Sequence, residues 1–75
     1  MAGELPDIGF RPKLVAAFDP PGAEARFRAW QEANVGALAE VPADALRVEY
    51  GRTGGGLYVR VRIDESQLPD GLTPA

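Results

Sequence analysis

Two stretches in the second half of the chain carry apolar residues at every second position. They are ALRVEYG at 45–51 and LYVRVRID at 57–64. A period of two on both sides of a glycine-rich link predicts an antiparallel β-hairpin. One face is apolar and should receive a helix, through Leu46, Val48, Tyr50, Leu57, Val59, Val61 and Ile63. The other should face water or a partner, and it carries Arg47, Glu49, Tyr58, Arg60 and Arg62.

The link between these stretches, GRTGGG at 51–56, raises the question of a phosphate-binding loop. Such a loop needs its glycines at the entry to a helix, where backbone N–H groups and the helix dipole converge on the anion. Here the glycines lead into Leu57, Tyr58 and Val59, which form a strand pattern, and the spacing is not GxGxxG. The context therefore favours a flexible six-residue hairpin loop.

An amphipathic helix is predicted within DPPGAEARFRAWQEANVGALAEVP, residues 19–42. Pro21 suits a first helical position because no N–H donor is needed there, and the helix should stop near Glu40, ahead of Pro42. At 100° per residue one apolar stripe is formed by Ala23, Phe27, Trp30, Ala37, Leu38 and Val41. We expect Trp30 to be a core residue.

Asn34 lies in the middle of this apolar stripe. A buried amide must be hydrogen-bonded or it destabilises the fold by about 1–3 kcal/mol. Two interpretations stay open: a hydrogen bond to the backbone of a nearby loop, or a specificity contact at a subunit interface.

The short apolar run KLVAAF, residues 13–18, is too brief for periodicity to separate strand from helix. Its length and its flanking prolines favour a strand. The predicted fold class is α+β, with one amphipathic helix packed on a two- or three-stranded antiparallel sheet. Residues 13–63 form this single domain, between extended proline-rich arms at 1–12 and 64–75.

The residue inventory narrows the possible chemistry. The chain of 75 residues has no His, no Cys, one serine and one lysine. Without His or Cys there is no imidazole base, no thiolate nucleophile and no disulfide. Paired carboxylates could still act as acid and base, but so short a chain has little room for a buried pocket. We therefore expect no enzymatic activity, no catalytic residues, no cofactor, no metal and no small-molecule substrate.

Charge is unevenly distributed along the chain. Residues 45–63 hold four arginines and one glutamate, a local charge of +3, so the rest of a chain with net charge −3 carries −6. An arginine-bearing face could dock on an acidic protein surface or on a nucleic-acid backbone. Net acidity and a single lysine disfavour nucleic acid. The arginine-face residues available for docking are Arg47, Arg52, Tyr58, Arg60 and Arg62.

Three functional hypotheses follow. In the first, the protein is a structural or assembly subunit of a larger particle, virion-like or connector-like, built with other proteins or with copies of itself. Its arms would bind neighbouring subunits through the apolar residues Leu5, Ile8, Phe10, Leu68 and Leu72. In the second, it is a binding or inhibitor module that docks on one larger protein through the arginine face. The third is nucleic-acid binding through the hairpin. We expect an intracellular protein or a particle component, because no signal peptide and no run of about 18 apolar residues is present.

Overall fold

The computed structural model describes residues 11–73. Three strands, β1 (Pro12–Phe18), β2 (Leu46–Thr53) and β3 (Gly56–Asp64), form one sheet. Between β1 and β2 the chain forms helix α1 (Ala23–Ala33), the short helix α2 (Val35–Leu38) and a 3₁₀ turn at Ala43–Ala45. The predicted α+β class, with a main helix on an antiparallel sheet, is confirmed. KLVAAF is a strand, so the sheet has three strands.

The strand order is β1-β3-β2, and both pairings are antiparallel. β2 and β3 run in unbroken register from Leu46 opposite Ile63 to Thr53 opposite Gly56. The pairing of β1 with β3 shifts between Leu14 and Ala16, which is a β-bulge. β3 is the central strand, and it carries the three most deeply buried side chains of the sheet, Val59, Val61 and Ile63.

The core lies between α1 and the two strands β1 and β3. Phe27 and Trp30 project from the helix onto Phe18, with ring centroids 5.8 and 6.0 Å from the Phe18 ring. The apolar side chains of β3 complete the core, and Val59, Val61 and Ile63 are at most 1% exposed. The predicted apolar stripe is confirmed, with Ala23 buried alongside Phe27 and Trp30 and the later positions half-buried.

The start of the helix differs from the prediction. Pro21 is not the first helical residue, because Gly22 follows it with φ of 78°, a left-handed conformation that cannot belong to a right-handed helix. The helix begins at Ala23. The Pro20–Pro21 peptide bond is cis, and the Arg26 guanidinium donates to the carbonyl oxygens of Asp19 and Pro21.

The helix is also interrupted before its predicted end near Glu40. α1 stops at Ala33, Asn34 leaves helical geometry with φ of −116°, and α2 continues for one turn. The Asn34 side chain points inward, where its Nδ2 donates to the carbonyl oxygen of Trp30 at 2.9 Å. Its Oδ1 accepts from the Thr73 N–H at 2.8 Å and from the Thr73 hydroxyl at 2.9 Å. Hydrogen bonding to a nearby loop backbone, one of the two interpretations of this buried amide, is confirmed.

The hairpin link is tighter than the six-residue loop predicted from GRTGGG. The strands continue through Gly51, Arg52 and Thr53, and only Gly54 and Gly55 form the turn. The Thr53 hydroxyl oxygen accepts a hydrogen bond from the Gly55 N–H at 3.2 Å, which closes the turn. Gly56 has φ of 127°, so glycine is required there.

The described part of the predicted C-terminal arm, residues 64–73, folds back on the domain. After β3 the chain makes a 3₁₀ turn at Glu65–Gln67 and then runs beside β1 and α1. Leu72 packs against the core cluster, and Trp30 Nε1 donates to the Thr73 carbonyl oxygen at 2.8 Å. This segment therefore contributes to the fold of the domain itself.

Asp64 joins β3 to this C-terminal segment. Its Oδ1 accepts from the N–H and hydroxyl of Ser66 at 3.2 and 3.1 Å, and from the Arg11 N–H at 3.3 Å. Burial by itself raises the pKa of Asp64, but the hydrogen bonds from Ser66 and Arg11, with the Arg11 charge, outweigh it. They hold the pKa below its ordinary value of 3.8.

We expect this carboxylate to make stability depend on pH in the acid range. A group with a lowered pKa in the folded state stabilises the fold above its ordinary pKa, and the contribution disappears as pH falls through the lowered value. Asp64→Asn should therefore flatten the loss of stability below about pH 4, measured as urea midpoints at several pH values. Asp70→Asn, which removes an exposed carboxylate nearby, is the control, and identical profiles for wild type and Asp64→Asn would contradict the assignment.

Candidate interaction surface

One face of the sheet is left uncovered by residues 11–73. α1 packs on the opposite face over β1 and β3, as the contacts of Phe27 and Trp30 with Phe18 show. We name the uncovered side the open face. Alternation along the paired strands places on it Leu14, Ala17, Arg47, Glu49, Gly51, Tyr58, Arg60 and Arg62.

Tyr58 is held flat on the open face by its neighbour across the hairpin. Gly51 pairs with Tyr58, and a Cβ atom at Gly51 would overlap the tyrosine ring. The ring therefore lies on the bare backbone of β2. Only glycine allows an approach this close, so Gly51 and Tyr58 form one packing unit.

Arg60 is fixed from several sides. Its guanidinium carbon lies 4.7 Å from the centroid of the Tyr58 ring, a cation–π distance. Its Nη2 forms an ion pair with Asp19 at 2.8 Å, and its Nη1 donates to the carbonyl oxygens of Phe18 and Val59 at 3.4 and 3.2 Å. The guanidinium thus bridges the end of β1 and the centre of the sheet.

Arg62 is paired across the same face. Its Nη1 lies 2.8 Å from Glu49 Oε1 on β2. The Arg62 side chain remains 38% exposed and Glu49 55% exposed, so solvent screens the pair and it adds little stability. Its effect is to order two charged side chains on the open face.

The remaining predicted contact residues occupy different places. Arg47 lies on the open face, opposite Arg62 in the register. Arg52 is exposed on the other side of β2, because alternation puts it with Leu46, Val48 and Tyr50. Leu5, Ile8 and Phe10 lie outside the described residues.

Leu68 and Leu72 are half-buried against β1 rather than extended into solvent. With Leu14, Val15 and Pro69 they line a shallow depression of about 300 Å³. Whether either leucine also contacts a neighbouring chain stays a prediction.

Asp19 and Gly51 were not identified as surface residues from the sequence. Asp19 precedes the predicted helix start at Pro21, yet it pairs with Arg60, which is 41 residues away. No local pattern signals that pairing. Gly51 could have been found from the hairpin register, because a glycine opposite a tyrosine in a strand indicates close backbone approach.

The glycine-rich tip of the hairpin packs on the loop before α1. A Cβ atom at Gly56 would lie 3.3 Å from Pro20 Cβ, and one at Gly55 would lie 3.5 Å from Pro20 Cγ. The tip of the hairpin thus packs close to Pro20, and its glycines lead into β3, as the sequence pattern indicates.

Neither of the helices within residues 11–73 has the length and apolar character needed to cross a bilayer. Among the same residues, no three acidic side chains lie together in a group that could hold a metal ion.

No family model matches the chain, and no curated protein or solved structure matches it either.

Proposed function

We propose that this protein is a non-enzymatic assembly subunit, a small domain that binds other protein chains within a larger particle such as a virion or a connector. A sheet needs cover on its apolar face only, and α1 with the C-terminal segment supplies it. Within residues 11–73 no element covers the second face, and this face can receive a partner.

The observation that carries the proposal is that side chains on the open face are held in fixed positions by their neighbours. Tyr58 lies on Gly51, Arg60 is held by Tyr58 and Asp19, and Arg62 is held by Glu49. Side chains that are already fixed lose little conformational entropy when a partner covers them. Tyrosine and arginine are also the residue types that carry much of the binding energy at protein interfaces.

The same fixed positions support a second candidate, a module that docks on one larger protein through the arginine face. The two candidates differ in what they need from the rest of the chain. An assembly subunit uses its N-terminal residues Leu5, Ile8 and Phe10 and its sheet to join several chains. A docking module needs only the open face and should be a monomer by itself.

Light scattering after size exclusion of the full chain tests the proposal. We expect a discrete oligomer or larger particle whose mass falls in the double variant Ile8→Ser/Phe10→Ser. Reversing the charges with Arg60→Glu/Arg62→Glu should only weaken it. Lys13→Glu/Arg28→Glu, which reverses the same number of exposed charges elsewhere, is the control.

A single-chain mass at every concentration would contradict assembly from copies of this chain. Charge reversal at Arg60 and Arg62 that abolished capture of a larger partner, with the control pair unaffected, would support the docking module instead.

A further inference from the structure

The two edges of the sheet differ in how they meet solvent. β1 begins with Pro12, which has no N–H to donate, and it carries the bulge between Leu14 and Ala16. Prolines and bulges are devices by which natural sheets prevent pairing at an edge. β2, the other edge, is eight residues long, has no proline and pairs with β3 without irregularity.

The backbone of β2 presents hydrogen-bonding groups outward at regular intervals. The two-residue turn closes on the pair Thr53–Gly56, which is therefore a hydrogen-bonded pair. Counting back by twos, Gly51, Glu49 and Arg47 direct their N–H and C=O groups toward β3. The residues between them direct theirs away from the sheet, namely Leu46, Val48, Tyr50 and Arg52.

The side chains of β2 are self-complementary about Val48. In an antiparallel pairing with Val48 opposite Val48 of a second copy, Arg47 faces the second copy's Glu49, and Leu46 faces its Tyr50. Every charged pair has opposite signs, and the apolar residues meet one another, as stabilised sheet pairs do.

The neighbouring registers do not share this property. Shifting the pairing so that both helices stay on one side would place Glu49 opposite Glu49 or Arg47 opposite Arg47. Like charges directly opposite each other destabilise a sheet. The charge order of β2 therefore selects the register centred on Val48.

The helix side of β2 has room for a second copy. α1 covers β1 and β3, and it leaves Val48 36% and Tyr50 55% exposed. Phe27 touches only the edge of the Tyr50 ring, at a centroid distance of 6.2 Å. A second copy related by a two-fold axis through Val48 would cover both side chains with its own Val48, Tyr50 and Leu46.

We propose that two copies of this chain pair antiparallel through β2, centred on Val48, and so join their two sheets into one continuous sheet. Both main helices lie on the same side, and the two open faces form one surface. Glu49 Oε1 can keep Arg62 while its second oxygen accepts from the second copy's Arg47, because a carboxylate accepts several hydrogen bonds. This inference rests on the proposed assembly function and names its first partner.

A charge exchange tests the pairing on the full chain by sedimentation or light scattering. Arg47→Glu places glutamates opposite each other, and Glu49→Arg places arginines opposite each other, so each variant alone should be monomeric. An equimolar mixture should recover the dimer, because each mixed pair again has opposite signs. Arg28→Glu and Glu32→Arg, exposed on α1, are the matched charge controls and should remain dimeric.

A disulfide tests the register, since the natural chain has no cysteine. Val48→Cys brings two Cα atoms to about 5.5 Å in a hydrogen-bonded pair, within disulfide range. It should form a covalent dimer on mild oxidation. Tyr50→Cys, whose copies would lie more than about 13 Å apart along the strands, should not.

The outcomes separate the two proposals. A wild-type oligomer that is insensitive to the β2 charge changes would overturn the β2 pairing and leave the assembly function standing. A wild-type monomer at all concentrations would overturn the pairing, as would two single variants that stay monomeric when mixed. Recovery of the dimer only in the mixture, with the disulfide only at position 48, supports it.

Discussion

Trp30→Ala should lower the free energy of unfolding by about 3–5 kcal/mol, the usual result of removing a large buried aromatic side chain. Trp30 is 6% exposed and packs edge-on against Phe18. Its indole N–H also holds the Thr73 carbonyl oxygen, so the substitution loosens both the core and the C-terminal segment. A domain of this size has little stability to lose, and partial unfolding at room temperature is expected.

The measurement is urea denaturation followed by circular dichroism, because the only tryptophan is removed by the substitution. Trp30→Phe is the matched comparison, since it keeps an aromatic ring in the core but removes the N–H donor and part of the indole volume. We expect it to lie between wild type and Trp30→Ala. An unchanged denaturation midpoint in Trp30→Ala would contradict the assignment of Trp30 to the core.

Asn34→Ala should produce the second large effect. Asn34 is 3% exposed, and its amide makes three hydrogen bonds, one to the Trp30 carbonyl oxygen in α1 and two to Thr73. Each buried group left without a partner raises the free energy of the folded state by about 1–3 kcal/mol. The N–H and the hydroxyl of Thr73 both lose their acceptor, the Asn34 Oδ1 atom. Because Thr73 is itself exposed, solvent offsets part of that loss, which places the effect below that of Trp30→Ala.

Asn34→Asp separates the two halves of this contact. It keeps the oxygen that Thr73 binds and removes the Nδ2 donor to the Trp30 carbonyl. Amide hydrogen exchange in residues 68–73 should rise strongly in Asn34→Ala. Equal exchange in wild type and Asn34→Ala would mean that other contacts hold the C-terminal segment in place.

The parts of the fold that follow a period could be predicted from the sequence. Phe27 and Trp30 recur at helical spacing, and Val59 and Val61 alternate, so each buried face was identified before its partner was known. The flanking prolines favoured a strand for KLVAAF, and that prediction is confirmed. The predicted helix start at Pro21 was wrong. Gly22 adopts a left-handed backbone conformation, so the helix begins only after it, at Ala23.

Contacts between residues distant in sequence could not be predicted. Trp30 and Thr73 are 43 residues apart, and Asn34 and Thr73 are 39 apart, so no window contains either pair. The segment before Thr73 resembles a free arm because its prolines and few apolar residues have no periodicity. The short hairpin turn was missed for a different reason: glycine is typical of loops, and only the hairpin register shows that Gly51 lies in a strand opposite Tyr58.

On the surface, too, the periodic positions could be predicted and the contacts between distant residues could not. Alternation placed Tyr58, Arg60 and Arg62 on one face, and the structure agrees. It could not assign Asp19 as the partner of Arg60. The order of charges along β2 can be read from the sequence. It bears on pairing with another strand only because the strand order places β2 at an edge of the sheet.

The bulge in β1 limits how many copies of the chain could add to the sheet. A sheet with two regular edges can add a copy at each side, and repetition of that step produces a fibre of indefinite length. Here one edge is irregular and begins with proline, so addition at that side has no template. Association through β2 would use the regular edge of the sheet that residues 11–73 form, and it would stop at two copies. A small chain with exposed strand backbone can in this way form a closed complex of fixed size and remain protected against polymerisation.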